Sequence, residues 1–370
     1  MSVRTSRGQR TLPATYFNSA EIWQLEQERI FRTSWLLAGH ISALPLSGSY
    51  TLHDAGHDSV IVLRDAAGQL RALHNVCRHR GMQLCTARQG QLGAALQCPY
   101  HAWTYALDGT LRGAPHMQEV AGFDKSHWGL KPAALADWRG FVFVNLSADP
   151  QPFDTALRAL SGKFAHWPLS ELRSVHQAVY DVEANWKLFF HNYSECYHCP
   201  SAHPHLNRLT SYRNSENDLE EGAVLGGPMA LNDPDGSMTL HNGRCAPPFA
   251  DLSAAERSRV YYYTLFPSAL LSLHPDYVLV HRVQALASDR TRVICDWYFH
   301  PHAIAAPGFD ARPAIEFWDL TNRQDWALCE GAFRGMRSSV WEPGPYSELE
   351  SQLAAFDRHY LHTLDPSPIG

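Results

Sequence analysis

The sequence predicts an α+β protein of two domains, an antiparallel β domain followed by one whose mostly antiparallel sheet is covered by helices. Three observations carry that expectation. The 370 residues, 45% hydrophobic and 18% charged, hold material for more than one core at roughly 150 residues per domain. From about Trp35 to Asn145, short β-prone runs alternate with turn residues. Beyond the segment Ser147–Pro152 (SADPQP), a plain linker composition, β segments alternate instead with runs at helical spacing.

Near the N-terminus Asn18-Ser-Ala-Glu21 has the form of a capping box, and Ile22, Trp23, Leu25, Ile30 and Phe31 follow at helix-like intervals. The β domain then shows SVIVL before Asp65-Ala-Ala-Gly68, Leu70 to Val76, Trp103-Thr-Tyr before Asp108-Gly109, and Gly140-FVFVNL. Its boundaries are expected at 36–147, with 1–35 and 153–370 forming the second domain. That second domain opens with an alternating strand, Val175 to Val182, and a helical run from Asn185 through His198. Residues 205–250 are polar and rich in Gly, Pro and Asn, and read as a long excursion with little structure of its own. Three β segments follow, Val260 to Phe266, Tyr277 to Gln284 and Arg292 to Phe299, then helix spacing from Pro313 to Met336. There is no internal repeat and no low-complexity tract.

A net charge of −6 and no basic run argue against nucleic acid or an anionic membrane as partner. The N-terminus lacks the apolar stretch of a secretory signal and no apolar run approaches a membrane span, so the expected location is the cytoplasm. Against this ordinary background stand 21 His and 8 Cys. Without a secretion signal they do not read as a disulfide framework, which puts metal or redox chemistry first.

Cys77-Arg-His79-Arg-Gly81 is followed, after eighteen residues intervening from His79, by Cys98-Pro-Tyr-His101. Two such pairs at hairpin tips can bring two thiolates and two imidazoles together. That set suits a [2Fe–2S] cluster with Cys₂ on one iron and His₂ on the other. Structural zinc is the rival, although the order Cys-His-Cys-His departs from zinc-finger spacing. Together with Trp103, Tyr105, Gly109 and Leu111, these residues resemble the Rieske domain of the Rieske non-haem iron oxygenases. The resemblance implies that Cys77 and Cys98 ligate one iron and His79 and His101 the other. Cys85 lies outside the pattern and is expected to be a buried small residue.

The second domain carries Asn185-Trp-Lys, then Asn192-Tyr-Ser-Glu195-Cys-Tyr-His198-Cys-Pro-Ser-Ala-His203. Glu195 and His198 share a helix face. His198 and His203, five apart, fall about 140° out of phase on a regular helix. They converge only if the helix distorts, for which Pro200 supplies a cause. Two imidazoles and one carboxylate on one face of Fe(II) form an O₂-activating arrangement. Asp325, in Thr321-Asn-Arg-Gln-Asp325-Trp, is the preferred carboxylate donor, with Asp319 six residues earlier as the alternative, expected to cap or face solvent.

These motifs are also similar to the catalytic motif of the oxygenase (α) subunits of the same family, which implies a helix-grip catalytic domain and a triad of His198, His203 and Asp325. It implies further that Glu195 bridges His198 to His101 of a neighbouring subunit in a homotrimer; the residue-level alternative is a Glu that orients His198. Asn192 in the same motif is a second candidate catalytic residue. The Cys196-x-x-Cys199 pair is expected to be packing rather than redox. His191 stands where the family more often has an acid, and His205 is expected to be a solvated loop residue.

No Gly-x-Gly-x-x-Gly fingerprint is present, so electrons must come from a separate NAD(P)H-dependent flavin reductase or ferredoxin. The longer matches Asn192 to Pro204, Leu271-Ser-Leu-His-Pro-Asp-Tyr277 and Phe317 to Trp326 resemble the glycine betaine, choline and quaternary-ammonium branch. A trimethylammonium head wants an aromatic cage. Tyr261, Tyr262, Tyr263, Phe266, Tyr277 and Trp297 lie on candidate strands, and Tyr263, Phe266, Tyr277 and Trp297 are the pocket residues expected from them. The alternatives are an oxygenase acting on an aromatic acid, a Rieske electron carrier without oxygenase activity, and a zinc-organised binding module.

Overall fold

Turn residues cut the chain from Phe31 to Pro150, one of two compact units, into ten short strands. The computed structural model describes residues 9–365. The strands are β1 (Leu36–His40), β2 (Ser49–Ala55), β3 (Asp58–Arg64), β4 (Leu70–His74), β5 (Gln89–Gln91), β6 (Ala95–Gln97), β7 (Thr104–Ala106), β8 (Leu111–Gly113), β9 (Ala134–Trp138) and β10 (Phe141–Asn145). They pair antiparallel in three sheets, ordered β1-β10-β9, β4-β3-β2-β5 and β6-β7-β8. Between β3 and β4 the Asp65 carboxylate accepts from the backbone N–H groups of Ala67 and Gln69 and from Arg71 Nε, each within 2.9 Å. Gly68 supplies the positive φ, +79°, that closes this turn. Ile61, Leu63, Leu73, Leu96, Trp103, Tyr105 and Leu111 form a buried cluster that also contains Cys77, Cys85 and Cys98.

The second unit is made from the chain up to Ile30 and from Gln151 onward. Its sheet has six antiparallel strands: β11 (Arg173–Val182), β12 (Val224–Ala230), β13 (Arg259–Leu265), β14 (Ala269–Leu273), β15 (Val278–Ala287) and β16 (Arg290–Phe299). Their order is β11-β16-β15-β14-β13-β12. The helix Arg312–Gly335 buries Ala314, Phe317, Trp318, Thr321, Asn322, Trp326, Cys329 and Phe333 along one stripe at helical spacing.

Several elements depart from the pattern-based expectation. Ser19 rather than Asn18 caps the first long helix, Ala20–Glu26, accepting from the N–H groups of Glu21 and Ile22. Residues 205–250, expected to lack structure, contain part of the helix Pro204–Leu209 and all of β12. Gly226-Gly-Pro228 disguised β12 as loop, but this is the sheet's edge strand, where Pro is tolerated. At Gly226, φ +139°, a Cβ would come 2.0 Å from the carbonyl oxygen of Tyr262, so the close approach of β12 to β13 requires glycine. A further helix, Ser351–Leu364, follows without a counterpart in the spacing-based expectation.

That helix joins a buried charge. Lys187 Nζ lies 2.5 Å from Glu26 Oε1, both side chains 0% exposed. Glu26 also accepts from Trp186 Nε1 at 2.9 Å and from the Tyr360 hydroxyl at 2.7 Å. One carboxylate thereby ties the Ala20–Glu26 helix to the helices Lys187–Tyr193 and Ser351–Leu364. No described helix is long and apolar enough to cross a membrane.

Candidate active site

The Asn185-Trp-Lys motif starts the segment that carries the site. Asn185 Oδ1 accepts from Lys187 N at 3.1 Å, and its amide donates to the carbonyls of Phe17 and Ser288. The helix Lys187–Tyr193 then stops, short of the expected run to His198. Glu195 Oε2 accepts from the backbone N–H groups of Tyr197 and His198 and turns the chain there. A short helix, Cys199–Ala202, with Pro200 in its first turn, leads to His203. The distortion needed to bring His198 and His203 together is thus a break that begins at Ser194, ahead of Pro200.

His198, His203 and Asp325 offer ligand atoms that all lie within 4.8 Å of one another, the one such group of His, Cys, Asp or Glu among the described residues. Their orientation is informative. His203 Nδ1 faces Gln324 Oε1 at 2.8 Å and His198 Nδ1 faces Glu195 Oε1 at 2.5 Å. Acceptors there hold a proton on Nδ1 in each ring, which makes Nε2 the atom that would ligate a metal in exchange for its own proton. Both Nε2 atoms point at Asp325 Oδ1, at 2.8 Å from His203 and 3.4 Å from His198. Burial alone pushes the His198 imidazolium down, but Asp325 and Glu195 outweigh it and lift the group to about 9. His203 is raised in the same way by Asp325, against burial. Burial pushes the Asp325 carboxyl up, yet the two imidazoles hold it below the usual carboxylate range. A pocket that favours positive charge this strongly, with two nitrogens and one oxygen, fits a divalent iron.

A cavity opens onto these residues. Asn192, Tyr193, Glu195, Tyr197, Tyr212, Tyr262, Thr264 and Trp318 are part of its wall, with Leu225, Gly227 and Met229 of β12. The four aromatic residues expected to line it do not. On β13 the side chains alternate, and Tyr262 and Thr264 face the cavity while Tyr263 faces away, its hydroxyl donating to Asp218. Phe266 packs against Trp186, Phe356 and His359. The Tyr277 hydroxyl donates to the carbonyl of Met238, and Trp297 lies against His176 in the sheet. Sequence alternation could separate Tyr262 from Tyr263, but not say which one faced inward. Trp318, Gln324 and Gln352 gave no signal by type, although Gln324 directly precedes Asp325.

Other expectations resolve as follows. Cys196 and Cys199 are joined as a disulfide, which corrects their assignment as packing; the segment is a turn with its Cα atoms 5.0 Å apart rather than mid-helix. His191 is buried, facing Asp357 Oδ1 at 2.8 Å, so an acid is supplied by the Ser351–Leu364 helix. His205 sits in the helix Pro204–Leu209 with its ring edge-on to Phe317, not in a solvated loop. Asp319 accepts from the Tyr180 hydroxyl and Arg323, apart from the triad.

In the β unit, Cys98-Pro-Tyr-His101 fills the hairpin between β6 and β7, closed by Cys98 N–H to the Trp103 carbonyl at 2.8 Å. Cys77 to Gly81 forms the loop after β4, with Gly81 N–H donating to the Cys77 carbonyl at 3.0 Å. The two sulfur atoms are buried, each cysteine 2% exposed, whereas His79 is exposed and His101 partly so. The imidazole rings lie 4.7 Å apart, and His79 stacks on Trp103. The Tyr105 hydroxyl is 3.2 Å from Cys77 Sγ. Burial and the cysteine beside it push that phenol well up, so it stays protonated and can donate to the sulfur.

Comparison with known proteins matches both parts of the chain to families. Residues 34–124 match the Rieske [2Fe-2S] domain family, and residues 169–365 match the ring hydroxylating alpha subunit (catalytic domain) family. The chain belongs to the Rieske-type ring-hydroxylating oxygenase α subunits: it is an oxidoreductase whose cofactors are a [2Fe–2S] cluster and a mononuclear iron. It is 31% identical to the glycine betaine monooxygenase oxygenase subunit of Pseudomonas aeruginosa, over 91% of this chain and 85% of the relative. It is 35% identical to the carnitine monooxygenase oxygenase subunit of Escherichia coli, over 96% and 92%. In fold it is similar to the quaternary ammonium Rieske monooxygenase CntA in complex with L-carnitine (TM-score 0.79, 23% identity, 96% of this chain and 95% of that). Naphthalene 1,2-dioxygenase from Rhodococcus sp. has a similar fold (TM-score 0.80, 21% identity, 97% and 95%).

Proposed function

We propose that this chain is the terminal oxygenase of a multicomponent system that hydroxylates, and so N-demethylates, a small methylated ammonium compound. The observation that carries the reading is the cavity beside the triad, walled by Tyr193, Tyr262 and Trp318. Neighbouring rings in this wall meet edge to face, 5.9 Å apart for Tyr193–Tyr262 and 6.2 Å for Tyr262–Trp318. Their planes are therefore steeply inclined to one another, and rings presented to a cation in such a wall contribute about 0.5–2 kcal/mol per cation–π contact. The quaternary-ammonium names of the relatives support the same class.

In this reading His198, His203 and Asp325 hold the iron, and Cys77, Cys98, His79 and His101 hold the cluster. Iron so held would supply O₂ activation and C–H hydroxylation. The balance is one C–H, O₂, two electrons and two protons giving C–OH and water; a carbinol formed on an N-methyl group releases formaldehyde. Gln324 and Glu195 fix the two imidazoles, and Glu195 passes the electron from His101 of an adjoining subunit to His198 in a homotrimer. A separate NAD(P)H-dependent reductase feeds the cluster, and the protein works in the cytoplasm. Turnover with a matched reductase, scored for formaldehyde across methylated amines and aromatic acids, tests the reading. Formaldehyde from the methylated amines is the expected result; products from aromatic acids alone would refute it.

A further inference from the structure

We propose that Cys196 and Cys199 form a reversible peroxide-reactive pair in the wall of the iron site, which closes to a disulfide and reopens to two thiols without displacing His198. Position is the first observation. Both cysteines line the cavity, on either side of His198 in the chain, and Cys199 Sγ lies 4.0 Å from His198 Nε2. No other cysteine among the described residues lines it, so an oxidant made or admitted here meets these two sulfurs. The remaining cysteines carry no disulfide. Cys77 and Cys98 are the proposed cluster ligands, and Cys85, Cys295 and Cys329 are buried. The half-buried Cys245 has its thiol pushed up to about 12 by burial and Asp276. A thiol held protonated or shut away from solvent reacts slowly with peroxide, which leaves Cys196 and Cys199 as the responsive pair.

The turn itself is the second observation. Hydrogen bonds hold it independently of the sulfurs: Glu195 Oε2 accepts from the N–H groups of Tyr197 and His198, and Cys199 N–H donates to the Cys196 carbonyl at 3.1 Å. They set the two Cα atoms 5.0 Å apart, within the range a disulfide spans, so the bond can open or close on one backbone. With it closed, His198 still directs Nδ1 to Glu195 and Nε2 to Asp325. A ring of so few residues takes little entropy from the unfolded chain, which makes the bond a poor structural staple. In the cytoplasm, where the protein is proposed to work, a disulfide is usually transient and redox-responsive. Cys196 is the more accessible of the two, and Cys199 is 4% exposed. Hydrogen peroxide therefore transfers an oxygen to Cys196, giving a sulfenic acid and water, and the Cys199 sulfur displaces that oxygen as a second water. One S–S bond replaces two S–H bonds, the sulfurs give up two electrons to the O–O bond, and a dithiol reductant restores both thiols. Two electrons and two protons passed to O₂ with no C–H to oxidise make the same peroxide, so the proposed chemistry supplies the oxidant.

The test uses the cluster-containing full chain, reduced with dithiothreitol, freed of it under anaerobic conditions and treated with a small excess of hydrogen peroxide. Free thiols are then alkylated with N-ethylmaleimide and the peptides weighed. We expect the peptide carrying Cys196 and Cys199 to be unalkylated and lighter by two hydrogens, to form at least roughly tenfold faster than any oxidation of Cys245, and to revert with dithiothreitol. Alkylation of the pair as complete as that of Cys245, or oxidation that runs to sulfinic and sulfonic acids without the disulfide, overturns the proposal. In Cys199→Ser the sulfenic acid should persist on Cys196 and be captured by dimedone; no capture contradicts the order of the two steps. Ferrous iron titrated into the mononuclear site of the closed and the reopened forms should bind with Kd values within about threefold, against the roughly 10–100-fold cost of loosening a ligand's support. A larger difference contradicts the claim that closure leaves His198 in place. Neither readout depends on the substrate, and should Cys199→Ser not fold, the thiol mapping on the parent chain still decides.

Discussion

Replacing Glu26 by Gln removes the counter-ion of a fully buried lysine while keeping nearly the same volume. Breaking a buried pair from one side costs about 3–5 kcal/mol in general. Here Lys187 can limit the loss by giving up its proton. Moving a lysine from an ordinary value near 10.4 to neutrality at pH 7 costs about 4.6 kcal/mol, which caps the penalty. The rings of Tyr360, Trp186 and Phe17, at 4.9, 5.1 and 5.4 Å from Nζ, offset part of it. We expect a net loss of about 2–4 kcal/mol, a fall in Tm of roughly 4–16 °C for a unit of this size. The pH dependence identifies the cause. Burial, against the pull of Glu26, already holds Lys187 below its ordinary value. Without Glu26 the folded-state pKa drops further, so between it and about 10.4 the unfolded chain binds more protons and stability rises with pH. Relative to the parent, the variant should recover up to about 2.7 kcal/mol between pH 7 and pH 9. Denaturant unfolding at both pH values measures this. A loss under about 1 kcal/mol, or a deficit that does not shrink on going to pH 9, would refute the account of Lys187 as a buried charge held by one carboxylate.

Three further predictions concern the two metal sites. Glu195→Gln should retain both metals and a reducible cluster yet lower steady-state product formation at least ~100-fold by interrupting the relay; normal turnover would remove Glu195 from the electron path. Asp325→Ala should abolish mononuclear iron binding, and Gln324→Ala should weaken it by about 10–100-fold by freeing His203 Nδ1, both with the cluster absorbance unchanged. Iron titration followed by metal analysis measures this, and loss of the cluster instead would mean the sites are misassigned. Tyr105→Phe removes the donor to Cys77 Sγ, so the reduction potential of the cluster should fall by roughly 40–60 mV, equivalent to about 1 kcal/mol for one electron. An unchanged potential would show that this hydroxyl does not tune the sulfur.

The parts of the site legible in the sequence are those made by local chain geometry. Cys77 with His79 and Cys98 with His101 each sit within one loop, so residue type and spacing nearly define the constellation. His198 and His203 were readable for the same reason, given a break in the helix. Asp325 comes from 122 residues beyond His203 and was reached only by placing a carboxylate on a later helix. The cavity wall was not legible. Alternation says that Tyr262 and Tyr263 face opposite ways, but the inward choice depends on how β13 pairs with β12 and β14, which is a long-range fact. The buried pair Lys187–Glu26 is separated by 161 positions, and a lysine gives no local sign that it is buried. The Cys196–Cys199 bond is illegible to helix spacing because the pair would pack in a continuous helix, and the helix ends at Tyr193.

In the proposed reading an electron stored at Cys77, His79, Cys98 and His101 of one subunit is used at His198, His203 and Asp325 of an adjoining one to oxidise a methylated ammonium compound. A single-turnover experiment tests it most directly. Protein with the cluster reduced and the mononuclear site loaded with ferrous iron is mixed with choline and O₂ in the absence of any reductase. Cluster oxidation and product are then followed together. Loss of the reduced-cluster signal in step with near-stoichiometric product, absent in a sample lacking only the mononuclear iron, is the predicted result. A cluster that oxidises without product, or product that forms equally well without the mononuclear iron, would contradict the account.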